Sequence, residues 1–245
     1  MVLREEYTEL PSTQDRAIEL ARAGAPDGTR VVARAQTAGR GRLDHAWNSP
    51  EGGLYVSVIV RDPPAPGSML PLAVGTHLLD HLSAAYRLPL RLKWPNDLLV
   101  LEGEERPRKI AGVLVDRVVA PGGAKAVVGI GVNVRWPDDG PPSEIAARAA
   151  ALAEFVHPPP SLVRIEEDVA ASIDRTSAVL ASPEGSDVVR RRCEELLYGL
   201  GRRVSVDGRM VGRIQGVGAE GELWVDSGGR RVAIRAGDVS VEDRR

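Results

Sequence analysis

The chain carries one cysteine in 245 residues, Cys193, so it forms no internal disulfide, and no metal-ligating side chain stands beside it at ligand spacing. It reads as a buried structural thiol in a helix-like stretch, residues 190–197, of a protein kept in a reducing cytoplasm. Charge of either sign is not in excess: 34 acidic against 32 basic side chains give a formal charge of −2. That leaves no basic field for DNA, RNA or an anionic membrane surface. No apolar run reaches the about 20 residues that cross a bilayer, and the acidic start Met1-Val2-Leu3-Arg4-Glu5-Glu6 is unlike a signal peptide. Lysine and asparagine are scarce too, with only Lys93, Lys109, Lys125 and Asn48, Asn96, Asn133. Where arginine serves everywhere else, a surviving lysine suggests a place that a compact ammonium fits and a planar guanidinium does not.

What is present is an enzyme-sized chain, 43% apolar, long enough for one large domain or a main domain with a small one. Ser12-Thr13 ahead of Asp15 and an apolar spacing predicts a capped helix ending near Gly24. Residues 30–35 and 54–60 read as strands, the second by alternation, with a glycine-rich charged loop over 36–50 between them. Asp62-Pro63-Pro64-Ala65-Pro66-Gly67 breaks the chain, and 69–86 has the spacing of a long, largely buried helix. Residues 90–94 and 98–101 look like strand pieces around a Pro95-Asn96-Asp97 corner. Residues 110–119 and 126–134 form a hairpin across Pro121-Gly122-Gly123. Helices are expected over 146–155 and 162–180. From Gly199 onward short strands are punctuated by Asp207-Gly208, Glu220-Gly221 and Gly228-Gly229, which suggests a barrel of about five strands. The class is α+β, with strands and helices mixed rather than alternating, followed by a small all-β barrel.

Three segments concentrate the unusual residues. The loop Gln36-Thr37-Ala38-Gly39-Arg40-Gly41-Arg42-Leu43-Asp44-His45-Ala46-Trp47 alternates glycine with forked donors suited to phosphate or carboxylate, yet it is neither a Walker loop nor a dinucleotide fingerprint. Taken alone it is either a solvated turn or a binding loop. Lys109 opens an apolar strand and either snorkels to solvent or meets an anion in a cleft. Asn96-Asp97 fits ordinary turn chemistry as well as a site. Trp47 and Trp94 fit core anchors, and Asn133 fits a buried amide that satisfies backbone groups.

The order Ser12-Thr13, then residues 36–47, then Lys93-Trp94-Pro95-Asn96-Asp97, then Lys109-Ile110-Ala111-Gly112, then Gly129-Ile130-Gly131-Val132-Asn133 resembles the biotin protein ligase family, biotin–[acetyl-CoA-carboxylase] ligases. The resemblance implies an α+β, mixed-sheet catalytic domain over 1–196 and an SH3-like β-barrel over 197–245. It implies that biotin and ATP, with Mg²⁺, give biotinyl-5′-AMP, and that biotin then passes to a lysine of a biotin carboxyl carrier domain. Carried over residue by residue, Ser12, Thr13, Gln14, Gln36, Gly39, Arg40, Gly41, Arg42, Lys109 and Gly112 match positions around biotin. Arg40, Arg42, Trp47, Asn96, Asp97, Lys109 and Asn133 match positions around ATP. Arg42, Lys109, Lys93 and Asp97 match catalytic positions; Asp97 either binds metal or receives the target lysine's proton.

Only eleven residues precede Ser12, too few for the DNA-binding domain of the family's repressor members, so a monofunctional cytoplasmic enzyme is expected. Members of the family also form homodimers. Gly39 and Gly41 would let the loop close over a hydrolysable adenylate. The sequence departs from the family at His45, where a further arginine is common, with Asp44 beside it, and at Gln14, where asparagine is frequent. A lipoate or octanoate ligase of the same fold would leave Ser12, Thr13 and Gln36 unexplained, and a non-catalytic binding module would tolerate loss of Arg42 or Lys109.

Overall fold

The structure is a computed structural model and describes residues 3–43, 45–62, 68–103 and 106–242. In chain order its elements are β1 (Arg4–Leu10), α1 (Thr13–Arg22), β2 (Arg30–Gln36), β3 (Leu54–Arg61), α2 (Met69–Tyr86), β4 (Leu90–Lys93), β5 (Asp97–Glu102), β6 (Arg106–Ala120), β7 (Gly123–Val132), α3 (Leu162–Leu180), α4 (Gly185–Leu196), β8 (Arg203–Val206), β9 (Arg209–Val217), β10 (Leu223–Ser227), β11 (Arg230–Ile234) and β12 (Val239–Val241). They fall into two compact units, one of residues 1–63 with Arg108–Ala171 and one of residues 64–107 with 172–245. Asp44 and residues 63–67 of the expected Pro-rich breaker lie outside the described residues.

The first unit is built on strands in the order β1-β2-β3-β7-β6. β1 runs parallel to β2, and each of the other pairs is antiparallel, so the sheet is mixed. α1 starts where Ser12, in extended backbone, accepts a hydrogen bond from the Asp15 N–H at 3.3 Å, and Asp15 in the first turn favours the positive helix end. Its Ala17 and Ala21 pack with Leu10, Val31, Ile59 and Val127 in one buried cluster. β3 is central in this order, and its residues Leu54 to Val60 are all buried, so the alternation read from its sequence does not mark a solvent-facing side.

β1 was not foreseen. Its REEYTEL sequence is mostly charged and its burial follows an edge-strand pattern, so hydrophobic periodicity gives no signal there. Residues 146–155 do not form the expected helix. The Ala-rich spacing is overridden by backbone pairing: Lys109 donates to the Arg148 carbonyl at 2.8 Å and accepts from the Ala150 N–H at 2.9 Å. Only a short 3-10 turn, Leu152–Glu154, follows.

The second unit packs α2 beside α4. The Thr76 hydroxyl lies 3.0 Å from the buried Cys193 thiol, and Arg192 pairs with Asp80 at 2.6 Å. Burial pushes the Cys193 thiol up to about 12 and the neighbouring His77 imidazole down to about 4. β4 and β5 form an antiparallel pair, and the C-terminal strands form a second, antiparallel sheet in the order β11-β10-β9-β8-β12, as expected of an SH3-like domain. Its tight turns fall at Asp207 and Gly208, at Gly221, and at Gly228 and Gly229, all with positive φ. The Trp94 indole donates to the Gly221 carbonyl at 2.8 Å, so this tryptophan is a buried anchor. No helix among the described residues is long and apolar enough to cross a membrane.

Candidate active site

α1, the loop after β2 and the facing strands β6 and β7 bring most of the sequence-predicted residues together in the first unit. The first turn of α1 supplies a buried polar wall, with Ser12, Thr13 and Gln14 each under 5% exposed. Thr13 donates to Gln36 Oε1 from its backbone N–H at 2.8 Å and from its hydroxyl at 3.1 Å. The Gln36 amide nitrogen donates onward to Ser49 Oγ at 2.7 Å, and Ser49 donates to the Trp47 carbonyl at 3.0 Å. Gln14 donates from Nε2 to the Val127 carbonyl and to Asp116 Oδ2, both at 3.0 Å, and accepts from Ser57 Oγ at 2.9 Å. Ser57 also contacts the Thr13 hydroxyl at 3.0 Å. The two carboxamides are therefore locked by partners on both ends.

Residues 36–49 fold back on themselves. Gln36 pairs with Ser49 and Arg40 with Ala46, and the Trp47 N–H donates to the Gly39 carbonyl at 2.9 Å. A Cβ at Gly39 would stand 2.6 Å from Ser49 Oγ, and one at Gly41 would stand 2.9 Å from the His45 carbonyl. Neither glycine has positive φ, so both are needed for close approach within the loop. His45 is exposed, and Arg42 accepts the His45 N–H at 3.0 Å on its carbonyl. Arg40 Nη1 pairs with Asp15 Oδ1 at 2.7 Å and lies 3.4 Å from Asp116 Oδ2.

Trp47 lies on a floor made by two glycines. Gly112 of β6 and Gly131 of β7 are register partners; a Cβ on the first would reach 2.9 Å from the indole, and one on the second 2.5 Å. The Lys109 ammonium sits 4.7 Å from the centre of the Trp47 ring, so its charge rests over an aromatic face. Lys109 lies three residues inside β6, which begins at Arg106, not at the strand's opening. The Trp47 Nε1–H is buried without a hydrogen-bond partner among the described residues, a polar atom that a ligand oxygen could satisfy.

Asn133 follows β7, is 5% exposed, and donates from Nδ2 to the Ala150 carbonyl at 3.1 Å and the Lys109 carbonyl at 3.3 Å. Its nitrogen is thus occupied in fixing the backbone at Lys109, leaving Oδ1 for any ligand. Lys93, Asn96 and Asp97 belong to the second unit, at the β4–β5 corner, where Lys93 faces Asp97 in register and the Asn96 N–H donates to the Lys93 carbonyl at 3.1 Å. Among the described residues no three His, Cys, Asp or Glu side chains converge on a metal position.

Ser57 and Asp116 went unnoticed in the sequence. Ser57 sits in the middle of the apolar LYVSVIV run and Asp116 in IAGVLVDRVV. A lone buried serine inside a β-branched strand is the available signal, because such a hydroxyl must find a partner.

The match to the family model named Biotin/lipoate A/B protein ligase family covers residues 8–134. A biotin–[acetyl-CoA-carboxylase] ligase of Mycobacterium tuberculosis is 31% identical over 93% of this chain and 85% of its own length. The bifunctional ligase/repressor BirA of Bacillus subtilis is 28% identical over 95% of this chain and 72% of its own. Among solved structures, the biotin protein ligase from Aquifex aeolicus in complex with biotin and ATP superimposes with a TM-score of 0.81 at 27% identity, covering all of both chains.

Proposed function

The chain belongs to the biotin/lipoate A/B protein ligase family, and as a ligase of the biotin–protein type we propose that it adenylates biotin with ATP and transfers the biotinyl group to a lysine of a biotin carboxyl carrier domain. The observation that carries this reading is the presence, in one unit, of a locked polar wall, a glycine floor under Trp47 with the Lys109 ammonium over its ring, and Arg40 on the loop that also carries Arg42.

In the first step a biotin carboxylate oxygen attacks the α-phosphorus of ATP, the bond to the bridging oxygen breaks, and pyrophosphate leaves with its electron pair. Two anions must approach, so cations already in position lower the barrier most. Lys109, whose carbonyl accepts from the Asn133 amide and the Ala150 N–H, supplies a point charge, and Arg40 and Arg42 supply forked donors. The neutral ureido ring of biotin offers N–H donors and a carbonyl acceptor. Ser12, Thr13, Gln14 and Gln36, with backbone groups of the Gly39, Gly41 and Gly112 segments, meet that chemistry. Trp47 offers a stacking face for adenine, and Asn133 Oδ1 an acceptor. By resemblance to the family, Lys93, Asn96 and Asp97 would match nucleotide and catalytic positions. Magnesium would share the triphosphate charge; with no protein cage among the described residues, its oxygens would come from the phosphates with at most Asp97. In the second step the neutral amine of the carrier lysine attacks the acyl carbon, and AMP leaves. Residues 1–196 serve as the catalytic domain and 197–245 as the SH3-like domain in this reading.

The test is to incubate the protein with a biotin carboxyl carrier domain, biotin and ATP, and to weigh the carrier. A mass gain of one biotinyl group, lost when the carrier's target lysine is replaced by arginine, is expected. An unmodified carrier alongside normal adenylate formation would remove the transfer step from the proposal.

A further inference from the structure

The run from Ala146 to Phe155 holds six alanines, one leucine and neither glycine nor proline, a composition whose local preference is helix. The chain nevertheless leaves helical hydrogen bonding at Ala149, which bridges to Lys109 in parallel, and it is extended at Ala151, with φ −112° and ψ 150°. That irregularity serves the site. The Ala150 N–H donates to the Lys109 carbonyl at 2.9 Å, the Ala150 carbonyl accepts from Asn133 Nδ2 at 3.1 Å, and the Leu152 N–H donates to the Asn133 carbonyl at 3.0 Å. In a helix continued through 149–152 these groups would turn to partners four residues away and abandon Lys109 and Asn133.

Glu154 stands where the helical preference is checked. Its Oε1 accepts from the Ala151 N–H at 2.7 Å, the return bond that a Glu or Gln at the third position of a helical turn makes to the residue capping it. In a continued helix that N–H would go to the Ala147 carbonyl instead. The same oxygen accepts from the Trp136 indole at 2.9 Å, and Oε2 pairs with Arg108 Nη2 at 2.7 Å. The carboxylate thus joins the turn to the residue before Lys109 on β6 and to the stretch just after Asn133. We propose that Glu154 is a positioning residue: by engaging the Ala151 N–H it sets where the turn begins, and so keeps Ala150 and Leu152 paired with Lys109 and Asn133. Its consequence for catalysis rests on the ligase reading above.

The two closest substitutions separate reach from charge. Glu154→Gln keeps the length and an oxygen for the Ala151 N–H but gives up the charge facing Arg108, whereas Glu154→Asp keeps the charge and falls one methylene short. In biotin-dependent pyrophosphate exchange, Glu154→Asp is expected to lower kcat/KM for ATP about tenfold and to leave KM for biotin within about threefold. The biotin side is spared because the hydrogen bonds of Thr13, Gln14 and Gln36 described above involve no residue of 146–155. Glu154→Gln should stay within about threefold of wild type in both parameters. Amide hydrogen exchange, followed by NMR on the unliganded protein, should speed up about tenfold at Ala150 and Leu152 in the Asp variant, with Val128 and Ile130, which pair on both sides of β7, unchanged.

Unchanged amide exchange in Glu154→Asp would overturn the proposal, and faster amides with an unchanged kcat/KM for ATP would overturn its link to the site. A loss in Glu154→Gln that Glu154→Asp does not share would assign the effect to the charge facing Arg108 and overturn the part given to Ala151. Equal losses for ATP and biotin, with faster exchange throughout the chain, would make Glu154 a structural residue only. Faster exchange confined to Ala150 and Leu152, in a protein whose wild type shows no pyrophosphate exchange, would keep the local role and reject the ligase reading instead.

Discussion

Gly131→Ala isolates the link between the sheet and the indole above it. The added methyl would stand 2.5 Å from Trp47 Cε2, 2.6 Å from Nε1 and 2.7 Å from Cζ2. Carbon atoms rest about 3.5–4.0 Å apart, so the ring must retreat by about 1 Å. Gly131 is not in the left-handed region, so alanine suits its backbone and the whole cost falls on the contact. Overpacking of this kind costs about 1–3 kcal/mol. The half-buried Trp47 lies on a loop and yields more readily than paired strands, so the cost appears in the site rather than in global stability. A loss of about one to two orders of magnitude in kcat/KM for ATP follows from that range. The assay is steady-state pyrophosphate exchange for Gly131→Ala, Trp47→Ala and the double variant. If the methyl acts through the indole, adding it to Trp47→Ala should cost less than about twofold, a non-additive cycle. The same loss in both backgrounds would refute the reasoning.

Lys109→Ala and Arg42→Ala should each slow adenylate formation by about two to three orders of magnitude, the size of one lost preorganised donor, with far-UV circular dichroism unchanged; wild-type turnover would void the role of that residue. Ser57→Ala leaves the Gln14 oxygen and Thr13 hydroxyl short of a partner in a position that is fully buried, so it should lower unfolding free energy by about 1–3 kcal/mol in urea. His77 is buried, and its imidazole is lowered to about 4 by burial first and Arg175 second. Between pH 6.5 and 4 the unfolded chain therefore binds the proton that the folded chain refuses, and stability drops by about 3 kcal/mol as pH falls through that window. Urea titrations from pH 7 to 4.5 should show that slope, and His77→Gln should flatten it by that amount. The Cys193 thiol, pushed up to about 12 by burial, should resist a thiol reagent at pH 8 until urea unfolds the chain; rapid native labelling would contradict its placement.

Much of this molecule is legible in its sequence because local chemistry and tertiary context agree. The Ser12 cap, the long apolar helix Met69–Tyr86 and the Gly-containing turns of the small sheet are each dictated by residues near their own backbone. Residues 146–155 show the opposite case: alanine spacing favours a helix, but the carbonyls and N–H groups there serve Lys109 and Asn133. β1 hides behind charges that an edge strand can carry. In the candidate site, the rare lysine and asparagines and the glycine-arginine loop stand out by type. The residues behind them do not, since Ser57 and Asp116 acquire meaning only when three strands and a helix bring them to Gln14. The two loop glycines also leave room for Ser49 and for the His45 carbonyl, a contact that their sequence neighbours do not reveal.

The most direct test of the central claim is exchange of labelled pyrophosphate into ATP with no carrier present, run in parallel with biotin and with lipoate. Exchange that depends on biotin and not on lipoate is expected. Exchange with lipoate alone would place the activity in the sister branch of the fold, and none with either would contradict adenylation by this site.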